Sequence, residues 1–287
     1  MLGTVNPFEL LGGFALSLVI GLLGYKRGAL SGSGVAGALI TGTLMFGLGG
    51  WEWGTCLIVF FVSSSAFSFY RAREKQALAE KFAKGHRRDL GQALANGGLA
   101  ALLAVLSQLS PPYQGGYGGV WFVACAGAMA AVNADTWATE LGVLSRRPPR
   151  LITTNRPVEV GTSGGVTWLG IVASLGGALL IGLFGGLGLA VLRQGWAQAA
   201  TVLVAATVGG VAGSLCDSLL GATVQAIYWC GACGKETERR VHRCGAETRL
   251  QRGWHWLDND LVNLVASAVG ALVAAGIGWA LLKGVFL

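Results

Sequence analysis

Hydrophobic residues run along this chain in long blocks divided by short polar stretches. Against the length needed to cross a bilayer, about 17–25 predominantly apolar residues per helix, eight blocks stand out: Phe8–Leu23, Val35–Leu48, Gly54–Phe69, Leu90–Leu109, Val120–Leu144, Val166–Leu192, Ala197–Ala226 and Leu261–Leu282. The second is short and glycine-rich. The fifth and seventh carry polar residues within the apolar run, as helices do when they face a protein interior or a watery cavity instead of lipid. The pattern predicts an all-α polytopic membrane protein of about eight transmembrane helices. It forms one integral-membrane domain over 1–287, with a polar loop at 227–256.

Composition agrees. Of 287 residues 53% are hydrophobic and 12% charged, against about a quarter charged in soluble domains, and the mean hydropathy is +0.58. The 47 glycines follow no short repeat, which excludes a collagen-like chain. They are scattered through the apolar blocks, where close helix packing in lipid uses small residues. The first block lacks a basic flank before it and reads as a retained helix, not a cleaved signal.

Charge then orients the chain. Of the 21 Lys and Arg residues, all but Arg193 and Lys283 fall in four loops that eight spans place on one side. The positive-inside rule makes that side cytoplasmic and puts both termini on the other. The net charge of +7 suits anionic headgroups or a polyanionic substrate met at that face.

Candidate chemistry gathers on the same side. In Asn133-Ala-Asp-Thr-Trp-Ala-Thr-Glu-Leu-Gly142, helical spacing puts Asn133, Asp135, Thr136, Thr139 and Glu140 on one half of the circumference. The bland alternative is that both carboxylates are solvated charges at a helix end. The loop Gly161-Thr-Ser-Gly-Gly-Val-Thr167 feeds the sixth block. Gly161, Gly164 and Gly165 can turn the backbone to offer N–H groups, and Thr162, Ser163 and Thr167 add hydroxyls. A helix N-terminus after such a loop suits an anion, although no Walker lysine follows. A glycine-rich re-entry turn is the alternative.

In the seventh block Ser214, Asp217, Ser218, Gly221 and Gln225 form one polar stripe, which for the serines alone would be interhelical hydrogen bonding. Before the eighth block come Asp258, Asn259, Asp260 and Asn263, hard oxygen donors suited to Mg²⁺. One of the aspartates fits an N-cap equally well. Where the fourth block begins, Asp89 reads as a cap, and Gln92 and Asn96 are spaced for substrate hydrogen bonding or helix packing. Cys230, Cys233, His242 and Cys244 have the residue types of a structural Cys₃His zinc site, expected to staple the polar loop.

Five of these motifs together, NADTWATELG, GTSGGVT, DSLLGAT, DNDLVN and RRDLGQALANGG, resemble the transmembrane protein 19 family, which includes a plant phytyl-phosphate kinase. A more distant similarity is to dolichol and phytol kinases and CDP-diacylglycerol synthases. The resemblance implies a kinase that uses Mg²⁺ and an NTP, with CTP the expected donor, to convert a prenyl monophosphate of phytyl or geranylgeranyl type to the diphosphate, as in tocopherol synthesis. It implies Mg²⁺ ligation by Asp135, Asp217 and either Asp258 or Asp260, with Glu140 beside them. The Gly161–Thr167 loop would hold the nucleotide phosphates. Arg156, or its neighbours Arg146, Arg147 and Arg150, would neutralise charge, and Gln92, Asn96, Asn133, Thr139, Ser214, Ser218, Asn259 and Asn263 would contact substrate. Expected partners are the prenyl phosphate, a nucleotide and membrane lipids, with a homodimer as the assembly and no nucleic acid. A CTP-dependent lipid cytidylyltransferase is the alternative. An ion-coupled transporter is the second, disfavoured because the polar clusters gather at one face.

Overall fold

A computed structural model describes residues 6–75, 87–109, 119–193 and 196–283. Lys81 and Lys84 of the basic loop lie outside the described residues. The long helices are α1 (Pro7–Lys26), α2 (Gly32–Leu44), α3 (Trp51–Phe69), α5 (Leu90–Leu109), α6 (Val120–Gly142), α7 (Trp168–Arg193), α8 (Trp196–Thr223) and α9 (Asn259–Lys283), with a single turn, α4 (Ala72–Lys75), after α3. The short second block is completed by a π-helical turn, Met45–Gly49. The stretch Gly32–Gly49 is then 18 residues long and apolar enough to cross a membrane.

Local chemistry explains where the helices start. Asn6 accepts from the Phe8 N–H at 3.0 Å ahead of Pro7, and Ser31 accepts from the Gly34 N–H at 3.1 Å. Asp89 and Gln92 each accept the other's backbone N–H, at 2.9 and 3.2 Å, the reciprocal capping arrangement. Asp258 accepts from the Leu261 N–H at 3.1 Å.

Seven of these helices meet the length and hydropathy needed to cross a membrane; α6, with its polar residues, is the eighth. It sits at the centre, packed by α3, α5, α7, α8 and α9, and every residue from Phe122 to Ala134 is buried. Surrounded by protein, it tolerates polar groups that a lipid-facing helix would not. The outer wall carries large exposed apolar side chains, among them Leu175, Leu179 and Leu183 on α7 and Leu272 and Trp279 on α9, as a surface solvated by lipid requires. A second layer of α1, α2 and α5 packs on this bundle.

Small residues let the central helices approach closely. A Cβ at Gly127 would stand 2.3 Å from the Ala274 Cβ and 2.5 Å from the Gly270 carbonyl oxygen, so the neighbour in the way is backbone. Gly127→Val is expected to cost more than the roughly 1–3 kcal/mol of ordinary overpacking. Detergent-solubilised variant should show a lowered Tm and loss of the monodisperse peak in size-exclusion chromatography.

Two small sheets cap one end. Strands β1 (Arg150–Leu151) and β2 (Gly165–Val166) pair antiparallel between α6 and α7. Strands β3 (Ile227–Cys230), β4 (Lys235–Thr237) and β5 (Arg249–Arg252) form an antiparallel sheet in the order β4-β3-β5 between α8 and α9. The seventh apolar block ends sooner than its hydropathy suggests. The N–H groups of Val224 and Gln225 both reach the Leu220 carbonyl, so Gln225 lies past the helix on the way to β3. Between β5 and α9 the exposed Trp254 and Trp256 stack with ring centres 5.4 Å apart, an aromatic pair of the kind that settles at a membrane interface.

Candidate functional site

A cavity of about 710 Å³ opens at the end of the bundle capped by the sheets. Helix period supplies one wall: Asp135, Thr139 and Gly142 on α6 point to it, with Thr136 and Glu140 beside them. Helix α8 adds Ser214, Asp217 and Ser218, and the first turns of α9 add Asp258, Asn259, Asp260 and Asn263. Helix α5 adds Gln92 and Asn96. The Gly161–Thr167 loop closes another side. Sequence segments far apart in the chain therefore line one space.

Four further charged groups complete the lining: Lys75 from α4, Arg88 ahead of α5, and Glu238 and Arg243 from the polar loop. Their charges fall into two zones. In one, Asp135 feels the charge of Glu238, and Asp217 feels both Asp135 and Glu238. Asp217 Oδ2 is buried with no hydrogen-bond partner among the described residues. Such a lone carboxylate oxygen amid like charges is of the kind a cation settles.

In the other zone Ser68 Oγ donates to Glu140 Oε1 at 2.6 Å, Lys75 Nζ pairs with Glu140 Oε2, and Lys75 also donates to the Phe67 carbonyl at 2.6 Å. Arg88 is buried, donates to Ser64 Oγ at 2.9 Å and Ser65 Oγ at 3.0 Å, and lies over the Phe60 ring. It also feels the charge of Glu140.

Several expectations change once the contacts are known. Asn133 is fully buried and does not line the cavity: it donates to the Gly177 carbonyl at 2.8 Å and accepts from Ser63 Oγ at 3.0 Å. With both ends of its amide engaged, it ties α6 to α7 and α3 and has nothing left for substrate. Arg146, Arg147, Arg150 and Arg156 are exposed and outside the lining, and the cations that do line it are Lys75, Arg88 and Arg243. Each Glu140 oxygen has a partner, and Glu140 anchors Lys75.

The glycine loop is also more self-contained than its composition implies. The N–H groups of Thr162 and Gly165 bond to Glu159 and Thr162 carbonyls within the loop, so the donors left to face an anion are fewer. Thr167 Oγ1 caps α7 by accepting from the Gly170 N–H at 3.0 Å. Ser163 Oγ donates to Gln225 Oε1 at 2.9 Å, and Gln225 Nε2 donates to Glu238 Oε1 at 3.0 Å. Arg252 adds a second tie, to the carbonyls of Gly221 at 2.7 Å and Ser163 at 3.2 Å. Gly164 packs so tightly against α8 that a Cβ would stand 2.4 Å from the Ala222 nitrogen. Asp258 spends one oxygen on its cap.

The residues missed from sequence differ in how visible they were. Arg88 lies within the RRDLGQALANGG motif but ahead of α5, bridged to Leu30, where helical spacing does not apply. Glu238, Arg243 and Lys75 reach the cavity only through the tertiary fold.

The polar loop holds its own donor cluster. The ligand atoms of Cys230, Cys233, His242 and Cys244 all lie within 4.8 Å of one another. Cys230 Sγ and Cys244 Sγ are 3.7 Å apart, close to the edge of about 3.8 Å that a tetrahedron of 2.3 Å Zn–S bonds requires. His242 Nδ1 points at Cys244 Sγ at 3.1 Å and Cys233 Sγ at 3.5 Å. Gly234 (φ 63°) and Gly245 (φ 85°) follow the second ligand of each pair and let both turns curl tightly. The residues fit a structural zinc ion.

In this cluster the Cys244 thiol is pulled from its ordinary 9.0 to about 6, first by the Ala246 N–H and then by His242 and Cys233. Cys233 is pushed up to about 11, mainly by its hydrogen bond to Cys244. Cys244 is thus a thiolate at neutral pH, and any stability it lends is present above its ordinary value and lost as pH falls through about 6. Both thiols are exposed. In metal-free protein at pH 7, iodoacetamide is expected to modify Cys244 well before Cys233, with the rate falling below about pH 6. Mass mapping of alkylated peptides reads the order, and added zinc should protect both.

A bundle of this kind, with a charged cavity at one end, is a polytopic integral membrane protein. The chain belongs to the family described as integral membrane protein DUF92, whose model matches residues 15–271. It is 33% identical to Protein PGR of Arabidopsis thaliana over 280 residues, 92% of this chain and 94% of that one. It is also 32% identical to an uncharacterised membrane protein of Methanocaldococcus jannaschii over 256 residues, 89% of this chain and 88% of the relative. A third relative, an uncharacterised membrane protein of Synechocystis, is 26% identical over 250 residues, 85% of this chain and 81% of its own. These matches bear out the transmembrane protein 19 resemblance drawn from the motifs. No solved structure matches the chain.

Proposed function

We propose that the protein is a prenyl-phosphate kinase that transfers the γ-phosphoryl group of an NTP, with CTP as donor, to a prenyl monophosphate. The observation that carries this reading is the division of one cavity into a carboxylate zone, Asp135, Asp217 and Glu238, and a cationic zone, Lys75 and Arg88. Asp135 and Asp217, with Glu238 or Asp260, would hold Mg²⁺. That ion would supply charge neutralisation of the nucleotide's β- and γ-phosphates. The Gly161–Thr167 loop flanks the nucleotide. Lys75 and Arg88 orient the lipid phosphate, and Glu140 and Ser68 hold Lys75 in place.

The acceptor needs no strong base. A phosphate monoester has its second pKa near 6 and is largely dianionic at neutral pH. Its oxygen attacks the γ-phosphorus, the bond from that phosphorus to the β–γ bridging oxygen breaks, and CDP leaves with the electron pair. The obstacle is repulsion between two polyanions, so positioning and counter-charge do most of the catalysis. The cavity faces the cytoplasm, with both termini opposite, because the basic loops share its side. Cys230, Cys233, His242 and Cys244 would hold a zinc ion that staples the loop 227–256, which delivers Glu238 and Arg243.

Two arginines separate this arrangement from a diffuse basic surface. Arg88→Gln is expected to raise KM for the lipid phosphate roughly 10- to 100-fold, from loss of a charge-assisted contact of about 1.5–3 kcal/mol. Arg156→Ala, outside the cavity, should change kcat/KM less than about twofold. Initial rates over a range of lipid phosphate give both.

The reaction itself is tested with purified protein, geranylgeranyl monophosphate, Mg²⁺ and γ-labelled CTP, with lipid products read by mass. Label in geranylgeranyl diphosphate with release of CDP supports the kinase. A CMP-linked lipid with pyrophosphate would replace it with a cytidylyltransferase. No product from a panel of nucleotides and prenyl phosphates would overturn both.

A further inference from the structure

Helices α7 and α8 touch along a seam of close contacts. A Cβ at Gly186 would stand 2.7 Å from the Ala199 carbonyl oxygen, one at Gly182 2.8 Å from the Leu203 carbonyl oxygen, and one at Gly210 2.7 Å from the Ala178 Cβ. The next positions on these faces toward the sheet-capped end, four residues on, are Ser174 on α7 and Ser214 on α8, with Ser218 one turn further. All three line the large polar cavity. There α7 leans on α6 instead: a Cβ at Gly177 would stand 3.0 Å from the Asn133 carbonyl oxygen, and one at Gly170 3.2 Å from that of Ala138. The seam between α7 and α8 thus gives way to the cavity. Beyond it, the glycine loop meets α8 again where Gly164 packs on Ala222.

The edges of this gap are apolar and belong to the outer wall. Ile171 precedes Leu175, Leu179 and Leu183 in steps of four, and all four are exposed. On α8, Leu215 shares the exposed side of the helix with Val204, Val208 and Leu219. Among the described residues, Ile171 and Leu215 are the large apolar side chains that are both exposed and part of the cavity lining. Between them the gap is polar. Ser174 is buried, and its Oγ has no hydrogen-bond partner among the described residues, a hydroxyl that water or a ligand in the cavity satisfies.

We propose that the gap between the Ala178–Gly210 and Gly164–Ala222 contacts is a side opening through which the hydrocarbon chain of a lipid phosphate passes from the polar cavity into the bilayer, with Ile171 and Leu215 as its apolar edges. This rests on the prenyl-phosphate kinase reading in taking a lipid phosphate as the acceptor, and it adds the route of the chain. A cavity of about 710 Å³ is the size of a site for one small ligand. With a nucleotide and a phosphate head inside, a long prenyl chain needs a way out. Edges continuous with the lipid-facing surfaces of α7 and α8 keep that chain in apolar surroundings, while its phosphate stays in the cavity.

The test uses the full-length protein in detergent without nucleotide, so that it reads binding whether or not turnover occurs. Geranylgeranyl monophosphate carrying a diazirine on its second isoprene unit is photolysed with and without unlabelled geranylgeranyl monophosphate, and the adducts are mapped by mass. Adducts within 167–175 and 211–219 that disappear under competition are expected. Adducts confined to other helices, or adducts that competitor does not remove, would overturn the side opening. In a folded variant carrying Ile171→Trp and Leu215→Trp, which fill the gap from both edges, binding of geranylgeranyl monophosphate should fall roughly tenfold or more, as several methylenes lose their place. Binding of dimethylallyl monophosphate, whose chain is short enough to stay inside, should remain within about twofold. Leu183→Trp, on the same outer wall but away from the cavity, should change neither. Equal loss of the two ligands, or the same loss in Leu183→Trp, would also overturn the inference. If the adducts map as expected and no diphosphate forms with any nucleotide, the kinase reading fails and the side opening stands.

Discussion

Asp217→Asn protein is expected to lose prenyl-phosphate phosphorylation by about 10³-fold, the scale of removing a group that acts directly on transition-state charge, with no loss of thermal stability in metal-free buffer. The two halves of this result have one cause. Asp217 Oδ2 is buried with no hydrogen-bond partner among the described residues, and Asp135 and Glu238 both press on it with the same charge. Without a cation this oxygen is a liability to the fold, and a neutral amide of the same shape removes the repulsion. With Mg²⁺ and nucleotide the sign reverses: wild type should gain several degrees in Tm, and the variant should gain little. Differential scanning fluorimetry in detergent with and without Mg²⁺-CTP, beside the turnover assay, reads both. A variant that unfolds in metal-free buffer, or that keeps the full Mg²⁺-dependent shift, would show that Asp217 is a structural acid.

Removal of zinc from the polar loop should have the second largest effect. Stripping the ion with a strong chelator is expected to lower turnover at least tenfold and to expose 227–256 to proteolysis, with zinc and not Mg²⁺ restoring both. The sheet β4-β3-β5 has too few residues to fold on its own core, whereas a structural zinc site contributes about 10–16 kcal/mol in isolated finger peptides. The consequence reaches the cavity by a traceable route. The loop carries Glu238 into the lining, Glu238 accepts from Gln225, and Gln225 accepts from Ser163 of the glycine loop. Loss of the knuckle thus removes one carboxylate and loosens the loop that flanks the nucleotide. Metal content by mass spectrometry, limited proteolysis and turnover on the same samples make the test. Full activity in protein shown to be zinc-free would sever the knuckle from the site.

Much of the architecture was legible because a bilayer imposes simple rules on sequence. Apolar block length located seven membrane-spanning helices, and polar residues inside the fifth block marked α6, which the bundle wraps on all sides. The short second block needed the π-helical turn at Met45–Gly49 to reach its full length, and hydropathy does not report such a turn. The cavity's carboxylates on α6 and α8 and the polar start of α9 were visible as charges in apolar surroundings.

Contacts across the fold were not visible. Asn133 sits one residue from the cavity face but on the buried side of its helix, where the Gly177 carbonyl and Ser63 claim it. The basic residues after α6 suggested phosphate contacts by proximity in sequence, yet Arg156 projects from the small β1–β2 hairpin to solvent while Arg88, far away in the chain, is drawn in by Ser64 and Ser65. Glu238 had no signature at all, because only the turns of the 227–256 loop decide where it points. Arg88 stood inside the RRDLGQALANGG motif, but it sits ahead of α5 and is bridged to Leu30, so no helical repeat led to it.

The most direct measurement of the central claim is anomalous diffraction from crystals grown with Mn²⁺ and a non-hydrolysable CTP analogue. The account expects a manganese peak between Asp135 and Asp217, with Glu238 or Asp260 alongside, and the analogue's phosphates between that peak and Arg88. Manganese found elsewhere, with the Asp135–Asp217 pair bare and the analogue absent from the cavity, would contradict it.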